Sequence, residues 1–278
     1  MAVEAAGPLA RQALDLARTE LLVNLRFMNA AFARLAYLPV PGSTLATDGS
    51  RIRYSPAAIA RAYASEPASV ARAYLHIVLH NVFLHPYPSA QVNAACWDAA
   101  CDIVVERAIN ELDLPATRTA RADRQRATLA RIDADVPLAT AETVYRYLIE
   151  QQLQDDDLEA LRAPFHVDDH EPWHRMAAQE AVRKTDAEEG RRDEDQSAQN
   201  GAASSQAAKN GTDMEMPADA DQAKHNHKSH QAVSQDDIVQ KEAPEQAGRS
   251  IDDRFADTVN LDRSKEQWKS AAYEMGVQ

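Results

Sequence analysis

His76 and His80 stand four residues apart in the segment ARAYLHIVLHNVFLH. On an α-helix that spacing stacks two side chains one turn apart on the same face, about 6 Å between Cβ atoms. Two imidazoles so placed can share one zinc ion. Their neighbours Leu75, Ile77, Val78, Leu79, Val82 and Phe83 are apolar, which predicts a helix buried on most sides. A buried imidazole needs a partner. A metal ion is one solution. Two core histidines bonded to backbone or carboxylates are the other, and the pair alone does not choose between them.

A second row of residues bears on that choice. Asp98, Asp102 and Glu106 lie at i, i+4 and i+8 in WDAACDIVVERAI, beside an apolar stripe of Val104, Val105 and Ile109. In a helical pair this row would face the histidines. Asp102 would then supply a third oxygen ligand or a partner that fixes an imidazole tautomer. On a helix taken alone it is equally a solvated acidic face. His85 follows His76 by nine residues, rotated off the shared face and stopped by Pro86, so it is the weaker ligand candidate. His166, His170 and His174 are spaced four and four in FHVDDHEPWH, but Pro172 and the Asp168-Asp169 pair place a turn or helix start there. A polar capping segment around a packed Trp173 competes with a second metal site or a loop covering the first. His225, His227 and His230 lie in a polar stretch and are assigned no function.

The elements that must hold these residues are mostly helical. Leu14, Leu21, Leu25, Met28, Phe32 and Leu35 recur at three-, four- and seven-residue steps. This predicts one amphipathic helix from about Pro8 to Tyr37, ended before Pro39. Thr44–Thr47 and Arg51–Tyr54 flank Asp48-Gly49, the pattern of a β-hairpin, and form the one strand pair expected. Pro56 opens a helix to about Ala64. Ser69 is expected to cap the histidine helix, which should stop at Pro86. Further helices are expected over 94–112, from a Thr140 cap to about Leu153, and over 155–162.

The 278-residue chain carries a net charge of -13 with 45% apolar residues. A net negative charge without a basic stripe argues against a nucleic-acid partner. No stretch approaches the roughly 18 consecutive apolar residues of a membrane span. The N-terminus lacks a basic start followed by an apolar run. A cytoplasmic location is therefore expected, with Cys96 and Cys101 as reduced thiols. From His174 to Arg254 there is no Phe, Trp or Tyr. That composition predicts three parts: a folded domain over 1–183, a disordered acidic and polar linker over 184–249, and a C-terminal helical segment over 250–278. Ser250 would cap the last part, with Phe255, Leu261, Trp268 and Tyr273 as its apolar stripe. The fold class expected is mainly α, with one short β-hairpin.

Four segments in order resemble a known family. TLATDGSRIRYSP is similar to its hairpin, HIVLHNVFLH to its H-E-x-x-H helix with a further histidine, WDAACDIVVE to its W-N-x-A-x-D helix, and HVDDHEPW to its D-H-x-x-W segment. The family is the bacterial metallopeptidase-like domain that precedes von Willebrand factor A-like domains, and the likeness spans about 44–173. It implies a zincin-like fold and one zinc ion held by His76, His80 and Asp102. It also implies a von Willebrand A-like or AAA ATPase partner.

The chain departs from that pattern at the decisive place. Ile77 occupies the position of the motif glutamate, which takes a proton from the attacking water in such peptidases. The D-x-S-x-S motif of the von Willebrand metal site is absent from the sequence. Asp98 and Glu106 stand where the family has asparagine, and either is a conceivable substitute base. The expectation is a zinc-binding, degenerate metallopeptidase-like domain with no catalytic residue. The alternative is a metal-free interaction module. The oligomeric state is not legible.

Overall fold

The computed structural model describes residues 2–88, 92–136, 138–183 and 251–275, with side chains described for 6–88 and 263–275 within the outer two of these ranges. The expected linker over 184–249 lies outside the described residues. Residues 1–180 and 255–278 form one compact unit and 181–254 a second. The site described below lies wholly in the first.

The protein is mainly helical with a small sheet. Helix α1 (Ala2–Asn24) begins before Pro8 and ends earlier than its apolar pattern suggests. Leu25 leaves helical geometry at φ -116°, ψ 51° and a 3-10 turn follows over Arg26–Met28. A four-residue helix, α2 (Asn29–Phe32), and a strand, β1 (Ala36–Pro39), come next. The single helix expected to Tyr37 is therefore three pieces and a strand. The three- and four-residue steps continue because 3-10 and α turns bury nearly the same positions: Leu21, Leu25, Met28, Phe32 and Leu35 are all buried.

The hairpin is present. Strand β2 (Ala46–Thr47) pairs antiparallel with β3 (Arg51–Tyr54), and β1 adds to β3 in parallel to give the order β1-β3-β2. The Asp48 carboxylate closes the turn by accepting from the backbone N–H groups of Ser50 and Arg51 at 2.9 and 2.8 Å. Gly49 adopts φ +82°, a left-handed conformation that suits glycine.

Helices α3 (Pro56–Ser65) and α4 (Pro67–Val82) each start with proline in the first turn. Ser69 is not the cap of α4: Glu66 holds that position, and the Ser69 hydroxyl donates back to the Glu66 carbonyl at 2.7 Å. Helix α5 (Ala94–Leu112) is capped by the Asn93 side chain. Helix α6 (Arg121–Asp135) was not anticipated: only Gln125 and Ile132 of it are buried, so no apolar stripe announces it. Helices α7 (Ala141–Gln151, capped by Thr140) and α8 (Asp155–Arg162) follow. Helix α9 covers 171–183 and α10 covers Ile251–Glu274.

Two apolar clusters flank the α4/α5 pair. One joins α1, α3 and the apolar face of α4, and receives Trp268 and Ala271 from α10. The other joins α5, α6, α7 and α8 with Phe165. Trp268 also donates from Nε1 to the Gly49 carbonyl at 2.6 Å, and Ser264 donates to the same oxygen at 2.9 Å. Tyr273, expected in the α10 stripe, is 75% exposed. Phe255 and Leu261 lie outside the residues whose side chains are described. Cys96 and Cys101 are free thiols.

Candidate metal centre

One turn of α4 brings His76 and His80 together, and both are fully buried. Their Nε2 atoms face each other at 2.7 Å. From α5, Asp102 sends Oδ1 to within 3.4 Å of both Nε2 atoms. A fourth donor comes from the segment before α9: Asp168 Oδ1 lies 3.3 Å from His76 Nε2 and 3.7 Å from His80 Nε2. All four donor atoms lie within 4.8 Å of one another.

Three of the four donor groups are aimed by a bond on the far side. His76 Nδ1 bonds Glu106 Oε1 at 2.9 Å. His80 Nδ1 bonds His85 Nδ1 at 2.9 Å. The second oxygen of Asp102 accepts from Arg162 Nε at 2.7 Å. Asp168 is carried by a segment pinned to the sheet edge. Asp169 N–H donates to the Leu45 carbonyl at 2.7 Å, and Ala46 forms a parallel bridge with Asp169. His170 Nε2 contacts Oδ1 of both Asp102 and Asp168 at 3.2 Å. Its ring stacks on Trp173 at 3.7 Å between centroids, and Trp173 Nε1 donates to the Thr47 carbonyl at 3.1 Å.

The acidic row of α5 does face the histidines, with a different task at each turn. Asp102 joins the centre. Glu106 sits behind His76, both its oxygens engaged: Oε1 by His76, and Oε2 by Arg72 and by Gln125 Nε2 at 2.5 Å. Asp98 pairs with His174 Nε2 at 3.1 Å and His170 Nδ1 at 3.2 Å, at the outer rim. His85 sits behind His80, and Ile77 points into the apolar cluster of α1 and α3, fully buried.

Crowded charges bend the ionisation of these groups. Burial opposes charge on His76, but bonds to Asp102, Asp168 and Glu106 outweigh it and hold the imidazole up at about 10. His80 moves the other way, to about 4, because burial and then the His76 charge oppose a second imidazolium. The 2.7 Å Nε2 contact accordingly admits one proton. Burial raises Asp102 and Asp168, yet His170 and the other imidazoles hold both carboxyls well below the usual range. Burial also raises Glu106, and His76 with Arg72 holds it at about 2. His170 is lowered by burial and raised further by Asp102 and Asp168, to well above the ordinary histidine value.

Residues 10–262 match the model of a protein family described as "Putative metallopeptidase domain". The chain belongs to that family. No curated protein and no solved structure matches it.

The donor set fits a metal ion. Ligands about 2.0–2.1 Å from an ion in a tetrahedron stand about 3.3–3.4 Å apart. The His76–Asp102, His80–Asp102 and His76–Asp168 separations are 3.4, 3.4 and 3.3 Å, whereas His80–Asp168 at 3.7 Å is longer and the two Nε2 atoms at 2.7 Å are closer than that edge, so the imidazoles would have to part slightly around an ion. Two carboxylates offset the charge of a divalent ion. Asp168 Oδ2 is buried without a hydrogen-bond partner, which a carboxylate in the interior tolerates poorly unless a cation is near.

His76, His80 and Asp102 are thus brought to one point, and Asp168 is the candidate donor that sequence reasoning missed. The signal available was the D-x-H pair Asp168/His170, which local chain logic assigns to a turn. His166 is the outlier of its histidine ladder, with a side chain 46% exposed and Nδ1 at 3.7 Å from Asp102.

Proposed function

We propose that this protein binds one zinc ion through His76, His80, Asp102 and Asp168, and that it is a degenerate metallopeptidase in which the ion holds structure. The observation that carries this reading is the convergence of four buried protein donors on one point while Ile77 lies in the core. Structural zinc sites are closed by four protein ligands, whereas catalytic ones keep a position open. A zinc ion with an open position supplies Lewis acidity to a carbonyl or a water. Here the chain's own residues work against that use. Ile77 has no group to take a proton. Glu106 has both oxygens bound. His76, His80, Asp102 and Asp168 are at most 1% exposed, which excludes solvent and substrate from the centre.

Held this way, the ion ties α4 to α5 and to the segment carrying Asp168. Metal analysis of the purified full chain tests the first half. About one zinc per chain is expected, falling below about a tenth in His76→Ala/His80→Ala, in line with the deprotonated-ligand requirement of such sites. Wild type without zinc sinks the metal reading. Chelator tests the structural half. Removing a ligand held at about a thousandfold its dissociation constant costs about 4 kcal/mol, about 8–16 °C in Tm for a domain of this size. A Tm indifferent to chelator favours the metal-free interaction module. Cleavage of an unfolded protein substrate by the zinc-loaded chain overturns the degenerate assignment.

A further inference from the structure

Glu106 and Arg72 form a buried pair that no part of a zinc-binding reaction requires directly. Arg72 is 3% exposed and Glu106 not at all. The guanidinium reaches Glu106 Oε2 from Nε at 3.0 Å and from Nη2 at 2.7 Å. Its Nη1 donates to the Thr117 carbonyl at 3.1 Å, and Nη2 also reaches Asn110 Oδ1 at 2.7 Å. Gln125 closes the network by donating to Glu106 Oε2 and to the Pro164 carbonyl. One Glu106 oxygen is left for His76 Nδ1, at 2.9 Å.

A charged pair placed this deep costs desolvation and is weak evidence for stability on its own. Its geometry answers a different need. A carboxylate can only accept, so Glu106 fixes one proton on Nδ1, and the nitrogen left to exchange its proton for an ion is Nε2, beside the Asp102 and Asp168 oxygens. Partners of this kind orient the ring and raise its basicity, and losing one typically costs about 10–100-fold in metal affinity.

Resting on the zinc reading above, we propose that Glu106, locked by Arg72 and Gln125, is the positioning residue of the centre: it selects the metal-binding tautomer of His76 and sets the affinity for the ion. It is neither a ligand nor a substitute base.

The test uses full-length chain and zinc alone, read by competition with a chromophoric chelator, plus the visible spectrum of the cobalt-substituted centre. Arg72→Met/Glu106→Gln removes both charges together but keeps an acceptor for Nδ1–H; Arg72→Met/Glu106→Leu removes the acceptor as well. Affinity is expected to fall about 10-fold in the first and about 100-fold in the second, with a changed cobalt spectrum only in the second. Both should melt in chelator within a few degrees of chelated wild type. Equal affinity and spectrum in the folded Leu variant and wild type overturn the proposal. If the double variants do not fold, Gln125→Leu, which orphans no charge, decides: a several-fold loss of affinity supports the role and an unchanged affinity overturns it. Wild type that takes up no zinc in the same assay marks failure of the underlying zinc reading.

Discussion

Helix α4 turns two unlike faces to two unlike neighbours. Val70, Tyr74, Ile77 and Val78 look into the apolar cluster built with α1 and α3. Arg72, His76 and His80 look into a polar layer supplied by α5 and the Asp168 segment. Both faces are equally buried, so exposure does not distinguish them. The difference is in how substitution should be felt. Apolar contact is non-directional and many neighbours share it, whereas each polar atom of the other face has one to three partners at fixed distances. A fold can therefore survive on the first face while the second carries the chemistry. Position 77 belongs to the first face.

The most severe break of the polar face is His76→Ala/His80→Ala. Structural zinc sites contribute about 10–16 kcal/mol from four ligands, so two lost ligands should lower affinity by more than about 10⁴-fold. Asp168→Ala should cost about 10²–10³-fold by the same division. The comparison adds a condition: the double variant should melt below chelated wild type, because it leaves the buried Asp102, Asp168 and Glu106 carboxylates without the His76 imidazolium, but its melting temperature should not respond to zinc. A double variant whose melting temperature still rises with zinc would show that the two histidines are not the ligands.

Ile77→Glu attacks the other face. It places a carboxylate among apolar side chains with no cation assigned to it, which costs about 3–5 kcal/mol when a buried charge lacks its partner. Tm should fall by about 6–20 °C, zinc content should remain near one per chain, and no proteolysis should appear. An Ile77→Glu protein as stable as wild type that cleaves substrate would mean that position 77 faces the centre, and the division of α4 would collapse.

How much of this was legible beforehand follows the same division. The His76/His80 spacing and the Asp98/Asp102/Glu106 row are periodic on single helices, and periodicity within a helix survives folding. Which turn of α5 joins His76 and His80, and which only supports a ring, depends on the relative height of two helices, and no spacing encodes that. Asp168 comes from 66 positions beyond Asp102 through a loop whose register is set by the Asp169 N–H bond to Leu45. Such a long-range contact leaves no local pattern. The hairpin was readable because Asp48-Gly49 carries its own turn chemistry. Strand β1 was hidden because the burial rhythm of α1 runs on through the 3-10 turn. Helix α6 was hidden because it buries too few side chains to show a stripe.

The pH dependence sharpens the comparison without any mutation. In chelated protein His76 is raised to about 10 from an unfolded value of about 6.5. Its contribution is fully present below about 6.5 and is lost as pH rises toward 10. His80, lowered to about 4, has the opposite sign: its contribution is present above about 6.5 and is lost as pH falls toward 4. Chelated protein should therefore be most stable near pH 6–7 and weaken on both sides. An ion bound there would replace the proton between the two Nε2 atoms, so zinc-loaded protein should lose the part of the alkaline decline that comes from His76 and keep the part that comes from His170. Melting curves from pH 6 to 9.5 with and without zinc check this. Declines of equal size in the two states would mean that His76 is not the group the ion deprotonates.

The smallest expected effect lies away from both faces of α4, where α10 meets the hairpin turn. Gly49→Ala puts a Cβ 2.1 Å from Tyr87 Oη at a backbone φ of +82°. The left-handed conformation costs a residue with a Cβ about 1–2 kcal/mol, and the Tyr87 ring must also move from its bond with Ser264. Tm should fall by about 2–8 °C. Zinc affinity should stay within about twofold of wild type, since well-separated sites are close to additive. The route by which it could change is specific: Thr47, two residues earlier, accepts from Trp173, which stacks on His170. Zinc loss in Gly49→Ala that matches Asp168→Ala would therefore mean that the turn sets the height of the Trp173 ring, and that the polar layer extends through the hairpin to α10.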